Sequence, residues 1–284
     1  VEVVIATGVV DRRAGAWDAG CRVTPATAAQ GANNGIDLRS SAHQWLATRA
    51  MAILAADGYD SIAAFLATPD PTAPLAPATG AGAARATNET YGWRLLTGSD
   101  EADCRLYSQI SDHLHNFWSH RGRRMIIGDS AASNAEKAFT NATAAWRRGD
   151  KANAMEWLGA SLHLVQDSCV PQHNFYGIGV NHFEFERWTL IHQDALSVGD
   201  GAILAKDFRV GGGHGGKEWS SAHPRGWADE CAHRAGGILR TASANVPKIS
   251  TSADPQWKAA PHIAATQRLS AGYVEYFFHA VGGP

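Results

Sequence analysis

The sequence is poor in several things, and each shortage narrows the reading. Its 4 cysteines, Cys21, Cys104, Cys169 and Cys231, form no CxxC pair, which excludes a cysteine-based zinc finger. No apolar run reaches the roughly 20 residues that a membrane-spanning helix needs. Positive charge is not in excess: 25 Lys and Arg stand against 27 Asp and Glu, giving a net charge of −2. There is therefore no basic field to hold a nucleic-acid duplex, and no stable nucleic-acid partner is expected. Few segments alternate apolar and polar residues with period two, so little sheet is expected. The opening VEVVIATGVV is apolar but has no basic residue ahead of it, and so is not a complete signal peptide. The chain is expected to be a mature form.

What is present is a folded-protein composition with one outlier. Hydrophobic residues make up 45% of the 284 and charged residues 18%, which fits one sizeable core rather than disorder. The outlier is histidine, with 13 copies, most of them between His113 and His233. Helical periodicity runs through 42–67, with Gly58 as the break, and through 130–148, ended by Gly149 and Asp150. A further helix is expected over 151–166 with an apolar face of Met155, Leu158, Leu162 and Val165, and others over 182–196, 227–240 and 259–280. Residues 68–90 and the Gly-rich 211–216 read as loops. The expected class is all-α, a single-domain multi-helix bundle over 42–284, with 1–41 as an N-terminal segment. Four cysteines fit two disulfides in an exported protein, with three pairings open, or buried thiols.

The chemistry-bearing residues cluster. His163 and Asp167 are four apart in LHLVQD, and His182 and Glu186 are four apart in HFEFE, so each pair shares a helix face. His173 lies between the pairs, just past Pro171. Zinc accepts neutral imidazole nitrogen and carboxylate oxygen, the donors these pairs supply. Surface ion pairs are the ordinary alternative for such spacing. Leu162, Leu164 and Val165 beside one pair and Phe183 and Phe185 beside the other weaken that alternative, because polar groups in apolar surroundings need partners. A second cluster holds Asp103, Asp112, His113, His115 and His120, whose spacing does not select the ligands. His43, at the head of a helix beside Trp45, reads by itself as structural.

Taken together, these motifs resemble the bacterial zinc-dependent phospholipase C family. WLGASLHLVQDSCVPQH is similar to its signature, His-x-x-x-Asp followed by a Pro-containing turn and a further His. HFEFE matches a later His-x-x-x-Glu, AHQWLATRAM an early helix, GSDEAD with DHLHNFW an Asp–His segment, and TQRLSAGYVEYFF a final structural helix. The likeness spans about 42–278. It implies an all-helical fold with a cleft holding up to three zinc ions. The first would take Asp103, His115, His163 and Asp167, with His113 competing for the place of His115. The second would take His173, His182 and Glu186. The third would take His43 and share Asp167. In the family an N-terminal Trp completes the third site. Here Trp17 is internal, so that ligand falls to a freed Trp17, to the Val1 amine, or to an altered site. Cys104 and Cys169 lie within two residues of implied ligands, and a bridge between them, with Cys21 paired to Cys231, is the expected disulfide pattern.

The resemblance implies hydrolysis of a phospholipid, of phosphatidylcholine type, to diacylglycerol and a phosphorylated headgroup by metal-activated water. Asp103 would be both ligand and general base. The protein would be secreted or periplasmic, monomeric, and only transiently at a membrane surface. The main alternative is a zinc-dependent nuclease or nucleotidase acting on single strands. Such enzymes share the His-x-x-x-Asp block but usually close the set with Asp where this chain has Glu186. A non-catalytic metal-binding protein is the third reading, and a closed coordination shell would mark it.

Overall fold

Among the residues described in the computed structural model, 41–73, 89–102, 113–115, 130–174, 182–208, 223–242 and 256–284, there are ten α-helices and no strand beyond a single bridge between Pro69 and Thr90. Side chains of 182–184, 186, 187, 236–242 and 256–259 lie outside that description. None of the described helices is long and apolar enough to cross a membrane.

The expected break at Gly58 is where the chain turns. Helix α1 (Ala42–Ala56) starts on Ser41, whose hydroxyl accepts from the Gln44 amide, and α2 is Asp60–Ala67. Between them Gly58 has φ +83°, the left-handed conformation that glycine adopts at least cost, while the Asp57 and Tyr59 amides bond back to Ile53 and Leu54. Helix α3 (Tyr91–Glu101) was not foreseen, because Gly92, Thr97, Gly98 and Ser99 are weak helix formers. The Thr90 hydroxyl caps it by accepting from the Trp93 amide, and its close fit to α5 carries the rest. Helix α4 (Ala131–Arg147) opens with a capping box between Ser130 and Ser133, and α5 is Lys151–Cys169.

Helix α5 is the axis of the fold, flanked by α3, α4 and α9. Every residue from Leu158 to Cys169 is buried, a whole circumference rather than the one apolar face expected. A polar residue on this half of the helix is therefore in the interior whichever way it points. The close pass with α3 depends on two glycines. A Cβ on Gly98 would lie 1.9 Å from the Glu156 carbonyl oxygen, and one on Gly159 would lie 2.1 Å from that of Leu95.

The chain continues through α6 (Pro171–Asn174), α7 (His182–Ile191), α8 (Gln193–Leu196) and a 3-10 turn (Ala205–Asp207) to α9 (Pro224–Ala242) and α10 (Gln256–Ala280). The single helix expected over 182–196 is interrupted at His192, and Pro171 opens α6. On α10, Tyr273, Val274, Phe277 and Phe278 close the core. The Tyr273 hydroxyl donates to Ser161 Oγ at 2.7 Å, and that serine donates onward to the Ala135 carbonyl. Burial raises the Tyr273 pKa, outweighing the Ser161 bond, so the phenol stays protonated.

The disulfide differs from the expected pattern. Cys169 pairs with Cys231 rather than with Cys104, joining the C-terminal end of α5 to α9 across 62 residues. Nearness to ligands in sequence suggested Cys104, but the pairing is set by α9 lying across the end of α5, which brings the two Cα atoms to 4.4 Å. Cys21 and Cys104 lie outside the described residues, as do the loop at 211–216, Val1 and Trp17.

Candidate metal centre

Asp167, on the buried half of α5, is the hub of a cluster of histidines from four segments. His163 is one turn earlier on the same helix, with Nε2 3.2 Å from Asp167 Oδ2. His113, from the 113–115 segment, places Nδ1 at 2.6 Å from the same oxygen and 3.2 Å from His163 Nε2. The other oxygen, Oδ1, faces His43 Nε2 of α1 at 3.5 Å and His173 Nδ1 of α6 at 3.2 Å. The rings of His43 and His163 stack with centroids 3.7 Å apart.

Two of these imidazoles are oriented by their far nitrogens. His163 Nδ1 is 2.8 Å from the Ser99 carbonyl, which can only accept. The proton is therefore on Nδ1, and the Nε2 lone pair is turned toward Asp167 and His113. His43 Nδ1 meets Gln166 Oε1 at 2.9 Å, and the Gln166 amide donates to Ser270 Oγ, which fixes the amide orientation and leaves His43 Nε2 toward Asp167. Burial pushes the Asp167 carboxyl up. His163, His113 and His173, together with the His113 hydrogen bond, outweigh burial and hold it well below the usual carboxylate range. The hub is thus a buried anion ringed by imidazoles.

Such a donor set fits zinc. Donors at about 2.0–2.1 Å from a tetrahedral ion lie about 3.3 Å from one another. The separations around Asp167 run from 3.2 to 3.5 Å, apart from the direct 2.6 Å bond of His113. His43, His163 and Asp167 each offer one donor atom within 4.8 Å of the others. Oδ1 and Oδ2 face different histidines, and His43, His163 and Asp167 together could hold a metal ion.

Of the residues singled out from the sequence, His43, His163, Asp167 and His173 are brought together. His115 is not with them. Its Nε2 lies 2.5 Å from Asp229 Oδ1 on α9, and its competitor His113 occupies the place beside His163. His182 and Glu186 lie one turn apart on α7, with their side chains outside the description. Asp103, Asp112 and His120 are outside the described residues. Trp45 is core, packed with Phe185, Trp188 and Ile263. Sequence reasoning missed Gln166, Ser99, Asp229 and Asp100. Asp100 is a buried carboxylate next to the Ser99 carbonyl that orients His163, in the same GSDEAD stretch from which the family likeness takes Asp103.

No protein-family model and no curated protein matches the chain. Solved structures do. The alpha toxin from Clostridium absonum superposes with a TM-score of 0.64 at 18% identity, covering 87% of this chain and 65% of the toxin. The alpha-toxin of Clostridium perfringens avian strain SWCP gives 0.57 at 19% identity, covering 84% and 63%. The chain thus spans a little under two thirds of each toxin's length, and at these identities what the two share with it is the all-α fold.

Proposed function

We propose that this chain is a zinc-dependent phosphodiester hydrolase of phospholipase C type, which cleaves phosphatidylcholine-type lipids to diacylglycerol and a phosphorylated headgroup. The observation that carries the reading is the division of Asp167, with Oδ2 toward His113 and His163 and Oδ1 toward His43 and His173. A carboxylate with histidines at both oxygens would allow two ions to share it, the arrangement that two-metal hydrolysis of a phosphodiester uses. The proposed ligands are His43, Asp103, His163, Asp167, His173, His182 and Glu186, with His113 favoured over His115 by its distance to His163. In this reading the set would hold up to three ions.

Zinc held there would neutralise phosphoryl charge and acidify the attacking water. The protein's own residues supply the rest. Ser99 and Gln166 hold two imidazoles in the ligating orientation, so little reorganisation is needed on binding. Asp167 stays ionised because its histidines outweigh burial. Asp103 takes the proton of the attacking water, and water protonates the departing alkoxide. The Cys169–Cys231 bridge supports a secreted or periplasmic setting, where disulfides persist. The protein acts as a monomer that meets a membrane surface only transiently.

The test offers phosphatidylcholine, phosphatidylethanolamine and single-stranded DNA to the zinc-loaded protein. Phosphorylated headgroup should appear from lipid, should vanish on chelation, and should be lost together with bound zinc in Asp167→Asn. Cleavage of DNA alone would overturn the lipid assignment in favour of a nuclease. Full zinc content in Asp167→Asn would overturn the metal centre.

A further inference from the structure

The tripeptide His113-Leu114-His115 is divided between two helices. His113 turns to Asp167 on α5, and His115 Nε2 turns to Asp229 Oδ1 on α9 at 2.5 Å, with both members of the second pair buried. The two aspartates hold equivalent positions. Asp167 is two residues before Cys169, Asp229 is two residues before Cys231, and the disulfide joins those cysteines. Helix α9 is therefore covalently fixed beside the metal-bearing end of α5, and Asp229 is presented from a helix that cannot drift. The backbone of the tripeptide is held as well. The His115 amide donates to the His173 carbonyl at 3.2 Å, and the Ala131 amide donates to the Leu114 carbonyl at 3.0 Å.

We propose that Asp229 is a positioning residue for the metal centre, acting through His115. The inference rests on the zinc reading above. The His115–Asp229 pair anchors the segment on α9, and from that anchor two candidate ligands are located at once. His113 is set two residues away along the chain, and His173 is set through the hydrogen bond from the His115 amide. Groups around a metal's ligands tune affinity by fixing those ligands without touching the ion, and here the hold would pass from Asp229 through His115 to His113 and His173.

The experiment measures zinc affinity by chelator competition, beside the unfolding midpoint of the metal-free protein, for wild type, Asp229→Ala, Asp229→Asn, His115→Gln and the double variant Asp229→Ala/His115→Gln. Asp229→Ala should lose roughly 10- to 100-fold in zinc affinity, and Asp229→Asn should fall between it and wild type. The double variant should bind no more weakly than His115→Gln alone, because the two residues act as one unit. Wild-type affinity in Asp229→Ala overturns the proposal and leaves the zinc reading standing. Additive losses in the double variant also overturn it, since Asp229 would then act independently of His115. Should the alanine variant fail to fold, wild-type affinity in Asp229→Asn overturns it equally. A wild-type protein that takes no zinc sinks both readings.

Discussion

Replacing Gly159 by alanine separates two opposed effects whose sizes can be compared. In a helix interior alanine is favoured over glycine by about 1 kcal/mol, so propensity alone makes the variant more stable. The site opposes this. The new Cβ would lie 2.1 Å from the Leu95 carbonyl oxygen, 2.6 Å from the Ser99 amide nitrogen and 3.0 Å from the Gly98 carbonyl carbon. The first contact is about 1.3 Å short of ordinary van der Waals distance, and all three atoms are backbone, so no rotamer change relieves it. Helices α3 and α5 must move apart. Overpacking of this kind costs about 1–3 kcal/mol or more, and a clash against rigid backbone belongs at the upper end. The expected net result is a loss of about 2 kcal/mol. The same separation draws the Ser99 carbonyl away from His163 Nδ1, now at 2.8 Å, so zinc affinity should fall about tenfold. Denaturant unfolding of metal-free protein reads the first effect and chelator competition the second. Gly199→Ala, where an added Cβ meets nothing within 4 Å, serves as the control and should stay within about 0.5 kcal/mol of wild type. A Gly159→Ala protein as stable as wild type would refute the account of the α3–α5 contact.

Two further predictions concern the end of α5. His262 donates from Nε2 to the Cys169 carbonyl, and burial lowers its pKa to about 4 from 6.5, with the Cys169 bond raising it and Arg234 lowering it. The fold holds the neutral ring while the unfolded chain gains a proton below pH 6.5. Stability should therefore fall by roughly 3 kcal/mol as pH drops from 6.5 to about 4. That slope should be missing from His262→Gln and so appear in the difference between the two proteins, and parallel pH profiles would contradict it. Reduction of the Cys169–Cys231 bridge, which closes 62 residues of chain, should destabilise the protein by about 4 kcal/mol in the chain-entropy picture. Coincident unfolding curves for oxidised and reduced protein would count against it.

Much of the helical framework is legible along the chain. Apolar spacing and the punctuation at Gly58 and Gly149 locate α1, α2, α4 and most of α5, because periodicity and glycine's backbone freedom are local properties. The same local rule places His163 and Asp167 on one face of one helix. Helix α3 is not legible, since glycine and β-branched or short polar residues disfavour it in isolation and it owes its existence to packing on α5. Nor is the choice between His113 and His115, or between Cys104 and Cys231 as the partner of Cys169. A helix sets the directions of its own side chains, but which groups meet depends on how closely separate elements approach. Here two glycines let α3 reach His163, α1 lays His43 on the same ring, and α9 crosses the end of α5 to take both Cys169 and His115. Spacing nominated the histidines and the hub carboxylate, and only the contacts between helices decided which of them stand around it.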